Sequence, residues 1–331
     1  MFLISRLLAV PMAALALLLL TACGGGSGTS GDTGRLSLYV TDAPVDSAEK
    51  VVVAFTGVQL KPADGEPIRR SVCENDNSPG CENGMRKIDL LQLTGDESAA
   101  LLEDEVLPAG RYEWIRLEVL TSQTSAENSF IVIDGTARPL WVPSGDQTGL
   151  KLVRGFTVPA SGVASFTIDF DLRKSIANPQ GPFADTYFLR PALRLVDNSL
   201  TGHLKGEVAA DLIEGEACLG TESPGSGIVI VYVFEADGAT GHATEPEDAV
   251  TSAKVDSENV GDDTLLYSYR VGFLAAEEDG TEYLVQLWCE TTVEGTTEGI
   301  ALAERFAIIV PDDTTTLDLV LDDAIEEKIS D

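Results

Sequence analysis

The chain has 331 residues, 44% of them hydrophobic, enough apolar material for the cores of two domains of ordinary size. Its formal net charge of −32 is unevenly spread, since residues 201–331 hold 30 of the 54 acidic side chains and only 5 of the 22 Lys and Arg. A half that acidic repels nucleic acid and anionic headgroups, which excludes both as partners; solubility in salty surroundings is the simple account of the charge, and binding of a cation or a basic partner the sharper one.

The first residues read as a signal peptide, 1–22. Arg6 supplies one positive charge, and the apolar run at 7–20 falls short of the roughly 20 residues that a spanning helix needs. Leu20-Thr21-Ala22-Cys23 resembles the lipobox of bacterial lipoproteins, which implies that Cys23 is the acylated first residue of the mature chain. Gly24 stands where an inner-membrane retention signal would place Asp, so the resemblance implies the outer membrane, with the periplasmic face favoured over the cell surface. Residues 23–34 are rich in Gly, Ser and Thr and form a flexible tether.

With Cys23 given to lipid, four cysteines remain in an oxidising compartment, and four allow three pairings. Cys73 and Cys81 share one polar loop, while Cys218 and Cys289 lie in the second half, so Cys73–Cys81 and Cys218–Cys289 are the favoured disulfides. Zinc is the rival, but no histidine lies near and Cys-x7-Cys is not a zinc spacing.

Short alternating segments then follow one another. Residues 35–41 and 51–60 are strands, stopped and separated by Asp42-Ala43-Pro44. Residues 66–86 are expected to form a polar loop and 98–102 one helical turn. Strands follow with Ile115, Leu117 and Val119 on one face, a hairpin at 130–142 turning on Asp134-Gly135, and strands at 150–158, 163–170 and 187–196. Composition shifts near 197–202, which separates a first domain, 35–198, from an acidic second, 201–322, and a tail at 323–331. The second domain carries strands at 204–209, 228–234, 250–256, 265–274, 283–289, 305–310 and 315–321. This spacing, with little helical periodicity, defines an all-β chain of two tandem β-sandwich domains.

Leu107-Pro108-Ala109-Gly110-Arg111-Tyr112 is echoed by Leu274-Ala275-Ala276, an acidic insert and Tyr283. Both resemble the turn of prealbumin-like, carboxypeptidase-regulatory-type sandwiches. Thr41-Asp42-Ala43-Pro44, Phe55-Thr56-Gly57-Val58, Ile88-Asp89-Leu90-Leu91, the turn ending in Tyr112, Gln147-Thr148-Gly149-Leu150-Lys151-Leu152 and the run Ile168–Lys174 together resemble the bacterial lipoproteins that carry domain of unknown function 4382. That resemblance covers about 34–197 and implies a fold and an envelope location, but no catalytic residues.

The sequence carries few marks of catalytic chemistry. The chain has no G-x-S-x-G, Walker loop or dinucleotide fingerprint, and His203 and His242 are lone residues expected at the surface. Asp169 and Asp171 share one strand face about 7 Å apart, opposite Phe166, Ile168 and Phe170. A solvated face neutralised by Arg190 and Arg194 explains them most simply; with Asp42 and Arg173 they are also the candidate binding residues, and as an acid–base pair they would serve a carbohydrate hydrolase. Asp256, Glu258, Asp262 and Asp263 surround Gly261 as a calcium loop would, but position 12 is Tyr267 rather than Glu, so a turn between strands accounts for them and no cofactor is expected. The expectation is a lipid-anchored, non-catalytic binding or structural module meeting an envelope protein or glycan, with a hydrolase and a cation-dependent adhesin as the alternatives.

Overall fold

The computed structural model describes residues 32–43, 48–73, 80–143, 149–177, 185–190, 192–215, 218, 227–236, 245–261, 264–293 and 296–320. The signal peptide, Cys23, the tether up to residue 31, His242, Asp262, Asp263 and the tail lie outside these residues.

Leu36, Leu38 and Val40 alternate along the strand Thr33–Ala43 and are fully buried, and this strand organises the first sandwich. It pairs in parallel with Val163–Asp171 and antiparallel with Ala99–Pro108, and Leu193–Asp197 completes a four-stranded sheet. The facing sheet is built on the long strands Lys50–Pro62 and Gly110–Val119. Between the sheets one core runs from Leu36 and Phe55 to Tyr112, Ile168 and Phe170.

The second sandwich faces Asp256–Gly261, Thr264–Ala275, Thr201–Val208 and Thr314–Thr316 against Thr251–Lys254, Gly227–Glu235, Thr281–Val293 and Thr296–Ile309. Residues 250–256, expected as one strand, divide at Val255, where the chain leaves one sheet for the other.

The two sandwiches open on the same local construction. Thr33 pairs with Pro108 and Gly34 with Leu107; Thr201 pairs with Ala275 and Gly202 with Leu274. The Ala109 N–H donates to the Asp32 carbonyl, as the Ala276 N–H donates to Leu200, both at 2.8 Å. The Tyr112 hydroxyl donates to the Pro108 carbonyl at 2.9 Å, and the Tyr283 hydroxyl to the Ala275 carbonyl at 2.6 Å. Even the close approaches match. A Cβ on Gly34 would stand 2.2 Å from the Pro159 carbonyl oxygen, and one on Gly202 would stand 2.3 Å from that of Val310. The echo between the two turns is therefore a repeat of structure.

Two further segments fold otherwise than expected. Residues 98–102 open the strand Ala99–Pro108 instead of forming a helical turn, because Ala99, Ala100 and Leu102 pair with Val40, Tyr39 and Leu38, and sheet pairing overrides the helical preference of an Ala-Ala-Leu-Leu run. Residues 66–86 are not all loop: Ile68–Ser71 and Met85–Asp89 dock on successive halves of Lys50–Pro62. The disulfides Cys73–Cys81 and Cys218–Cys289 are both present. The hairpin at 130–142 turns on Asp134 and Gly135, with φ of 51° and 67°, the left-handed pair that matches strand twist.

Asp32–Asp331 cluster as one unit, and the sandwiches meet closely. A Cβ on Gly272 would lie 2.0 Å from the Gly95 carbonyl oxygen, so backbone touches backbone there. Asp96 and Arg270 flank that contact at 3.9 Å.

Candidate functional site

The strand Val163–Asp171 ends by capping a single helical turn, Leu172–Ser175. The Asp171 carboxylate accepts from the Lys174 backbone N–H at 3.1 Å, while Leu172 and Ser175 are fully buried and fix the turn. This aims Arg173 and Lys174 out of the first sandwich at the second.

The receiving surface is the outer face of the sheet containing Gly227–Glu235. That strand is apolar on both faces. Val231 and Val233 enter the core of the second sandwich, while Ile230, Tyr232 and Phe234 gather with Leu284 and Trp288 on the other side. An unbroken apolar run from Ile228 to Phe234 is the mark of a strand covered on both faces. Trp288 and Glu290, two residues apart on Thr281–Val293, share that outer face.

Arg173 bridges the sandwiches. Its Nη2 lies 2.8 Å from Glu290 Oε2 and its Nη1 3.4 Å from Oε1, and the guanidinium carbon stands 5.3 Å from the centre of the Tyr232 ring. The Tyr232 hydroxyl donates to Glu290, and Trp288 meets Tyr232 edge-on at 88°. Lys174 donates to the Ala249 carbonyl at 3.0 Å and pairs with Asp171 at 3.1 Å. Around these groups opens a cleft of about 430 Å³, with Glu245, Glu247, Thr251 and Ser252 on its second-sandwich side. Small-ligand sites fall in this size range.

The four candidate binding residues separate. Asp171 and Arg173 line the cleft. Asp169 does not: it lies opposite Arg194 in the neighbouring strand, with Arg194 Nη2 2.7 Å from its Oδ2 and little exposure to water. The expected neutralisation by Arg194 thus holds, but the face is buried at Asp169 instead of solvated. Asp42 follows Leu36, Leu38 and Val40 in the inward-facing series, so its carboxylate is buried at the end of the core, where a ligand in the cleft does not meet it. Among the described residues, neither Asp42 oxygen accepts a well-formed hydrogen bond, and the Leu172 backbone N–H is only a weak neighbour. Burial, then the carboxylates of Asp169, Asp171 and Asp89, push its pKa well above the usual value, and the Leu172 backbone N–H only partly offsets them.

Asp256 and Glu258 lie on the exposed strand Asp256–Gly261. Among the described residues, no three His, Cys, Asp or Glu side chains are grouped as a metal site. His203 is half-buried instead of lying at the surface. It packs edge-on against Phe273, whose backbone N–H donates to its Nδ1 at 3.4 Å, which is a structural role.

Fold and cleft together define an all-β, two-sandwich protein with a polar, aromatic-floored cleft between its halves. Residues 33–191, which span the first sandwich, match the model of the family described as Domain of unknown function (DUF4382). No curated protein matches the chain. Among solved structures, a leucine-rich repeat protein from Bacteroides thetaiotaomicron is similar at 12% identity over 88% of this chain, with a TM-score of 0.22; this chain spans 26% of its length. GBS52, the minor pilin of Streptococcus agalactiae, is similar at 11% identity over 86% of this chain and 97% of its own, with a TM-score of 0.17. Likenesses with such scores carry no argument about function.

Proposed function

We propose that the protein is an envelope lipoprotein, anchored in the outer membrane through Cys23, that binds a partner in the cleft between its sandwiches and catalyses no reaction. The cleft is the observation that supports this reading. It is of ligand size and combines aromatic rings with carboxylates, hydroxyls and cations. The carboxylates offered for catalysis are already engaged, Asp169 with Arg194 and Asp171 with Lys174. Among the described residues no helix is long and apolar enough to cross a membrane, so the lipid on Cys23 is the anchor this reading assigns.

The intact lipoprotein in detergent, applied to immobilised envelope material, tests the proposal. Retention is expected for the wild type, with loss in Glu247→Trp, where an exposed rim side chain is replaced by one that fills the cleft. Release of soluble glycan by the wild type but not by Asp171→Asn would replace this reading with the hydrolase.

A further inference from the structure

The geometry points to a ligand class for the cleft: we infer that it takes an arginine or lysine side chain presented by a basic segment of a partner protein. This rests on the binding reading above and narrows it.

The first observation is the cation already held there. Arg173, a side chain of the first sandwich, is gripped by a carboxylate and a ring of the second, Glu290 and Tyr232. A carboxylate beside an aromatic face suits a planar cation, which pairs through its edge and stacks through its face. The second observation is the charge left over. Glu290 answers Arg173 and Asp171 answers Lys174, whereas Glu245 and Glu247, both exposed on the rim, make no ion pair among the described residues. Among the described residues that line it, the cleft therefore carries two surplus negative charges. The third is the field behind it: residues 201–331 hold 30 acidic side chains against 5 basic ones, and a cleft walled by low-dielectric protein focuses such a field on an approaching cation.

The same features disfavour the other classes. A sugar needs an open aromatic face to stack on, but Trp288 is 8% exposed, Tyr232 is 3% exposed, and Arg173 stands over the Tyr232 ring. An anionic ligand would meet the surplus acids. A free polyamine shares the charge of a basic segment but lacks its side-chain spacing, so the experiment separates the two sources.

Full-length protein in detergent micelles is titrated by calorimetry with an amidated (Gly-Arg)4 peptide, its citrulline counterpart, spermidine, calcium chloride and chitotetraose. The expected result is one saturable site for the arginine peptide, with no binding of the neutral citrulline form. Affinity should fall at least tenfold in Glu245→Gln/Glu247→Gln. It should change less than twofold in Glu278→Gln/Asp279→Asn, an equal loss of charge at a turn whose residues do not line the cleft. Equal losses in both double variants would overturn the inference in favour of diffuse attraction to an acidic domain. Spermidine or calcium matching the peptide would overturn the basic-segment source. Chitotetraose bound in its place, and lost in Glu247→Trp, would overturn the cationic class while keeping the cleft as a binding site. Binding of none of the probes would overturn the ligand class, and retention on envelope material would still judge the binding reading by itself.

Discussion

Arg173 and Glu290, 117 residues apart in sequence, form a two-pronged ion pair that joins the first sandwich to the second, with side-chain exposures of 19% and 9%. Removing one member of so enclosed a pair takes from the other its counter-ion across the joint, at a cost of about 3–5 kcal/mol. Glu290→Gln and Arg173→Ala should each destabilise the full chain by about that much, and the double variant by less than the sum of the two. Urea unfolding followed by tryptophan fluorescence checks this. Small, additive losses would mean that the bridge is not a working joint between the sandwiches.

Asp42 gives the protein a pH dependence opposite to that of an ordinary paired carboxylate. Its folded-state pKa is raised, first by burial and then by Asp169, Asp171 and Asp89, so the folded protein keeps a proton that the unfolded chain releases near pH 4. The stability contributed by this group is complete below that value and is lost as pH rises through the folded-state pKa. Asp42→Asn should therefore raise the melting temperature at pH 7, with the gain shrinking towards zero as the pH falls below about 4. A variant less stable than the wild type at pH 7 would show that the charged carboxylate has a partner.

The disulfides should contribute unequally. Loop closure alone gives roughly 2.5 kcal/mol for the separation of 8 residues at Cys73–Cys81 and about 4.4 kcal/mol for the 71 at Cys218–Cys289. Ala substitution of each pair in turn, followed by thermal unfolding, should show the larger loss for the second. Equal losses would point to residual structure in the unfolded chain.

Cys23→Ala should move the protein from the membrane to the soluble fraction, because two or more acyl chains hold a protein in a bilayer that a single one holds only weakly. A wild type found soluble after lysis would remove the lipid anchor from the account.

Much of the fold is written in local pattern, and the site is not. Alternation marks Thr33–Ala43 and Val163–Asp171, and the turn ending at Tyr112 announces the bond its hydroxyl makes to Pro108. Thr33-Gly34 and Thr201-Gly202 open matching strands, but two residues are too short a signal without the pairings that repeat around them. Local pattern misleads where tertiary pairing overrides propensity, as at Ala99–Pro108, and where a polar residue continues an inward-facing series, as Asp42 does after Val40. The cleft joins Arg173 to Tyr232, Trp288 and Glu290 from distant strands, and no spacing encodes such a meeting. What the sequence does hold is the unbroken apolar run before Glu235, which shows that a second surface must cover that strand.

Docking of a partner's basic segment in the cleft is tested by photo-crosslinking in intact cells. Benzoylphenylalanine placed at Glu247, on the cleft rim, is compared with the same residue at Asp279, on a turn outside the cleft lining. A discrete adduct is expected from position 247 alone, with the joined peptide carrying Arg or Lys beside the crosslink. No adduct from 247, or the same adducts from both positions, would contradict it.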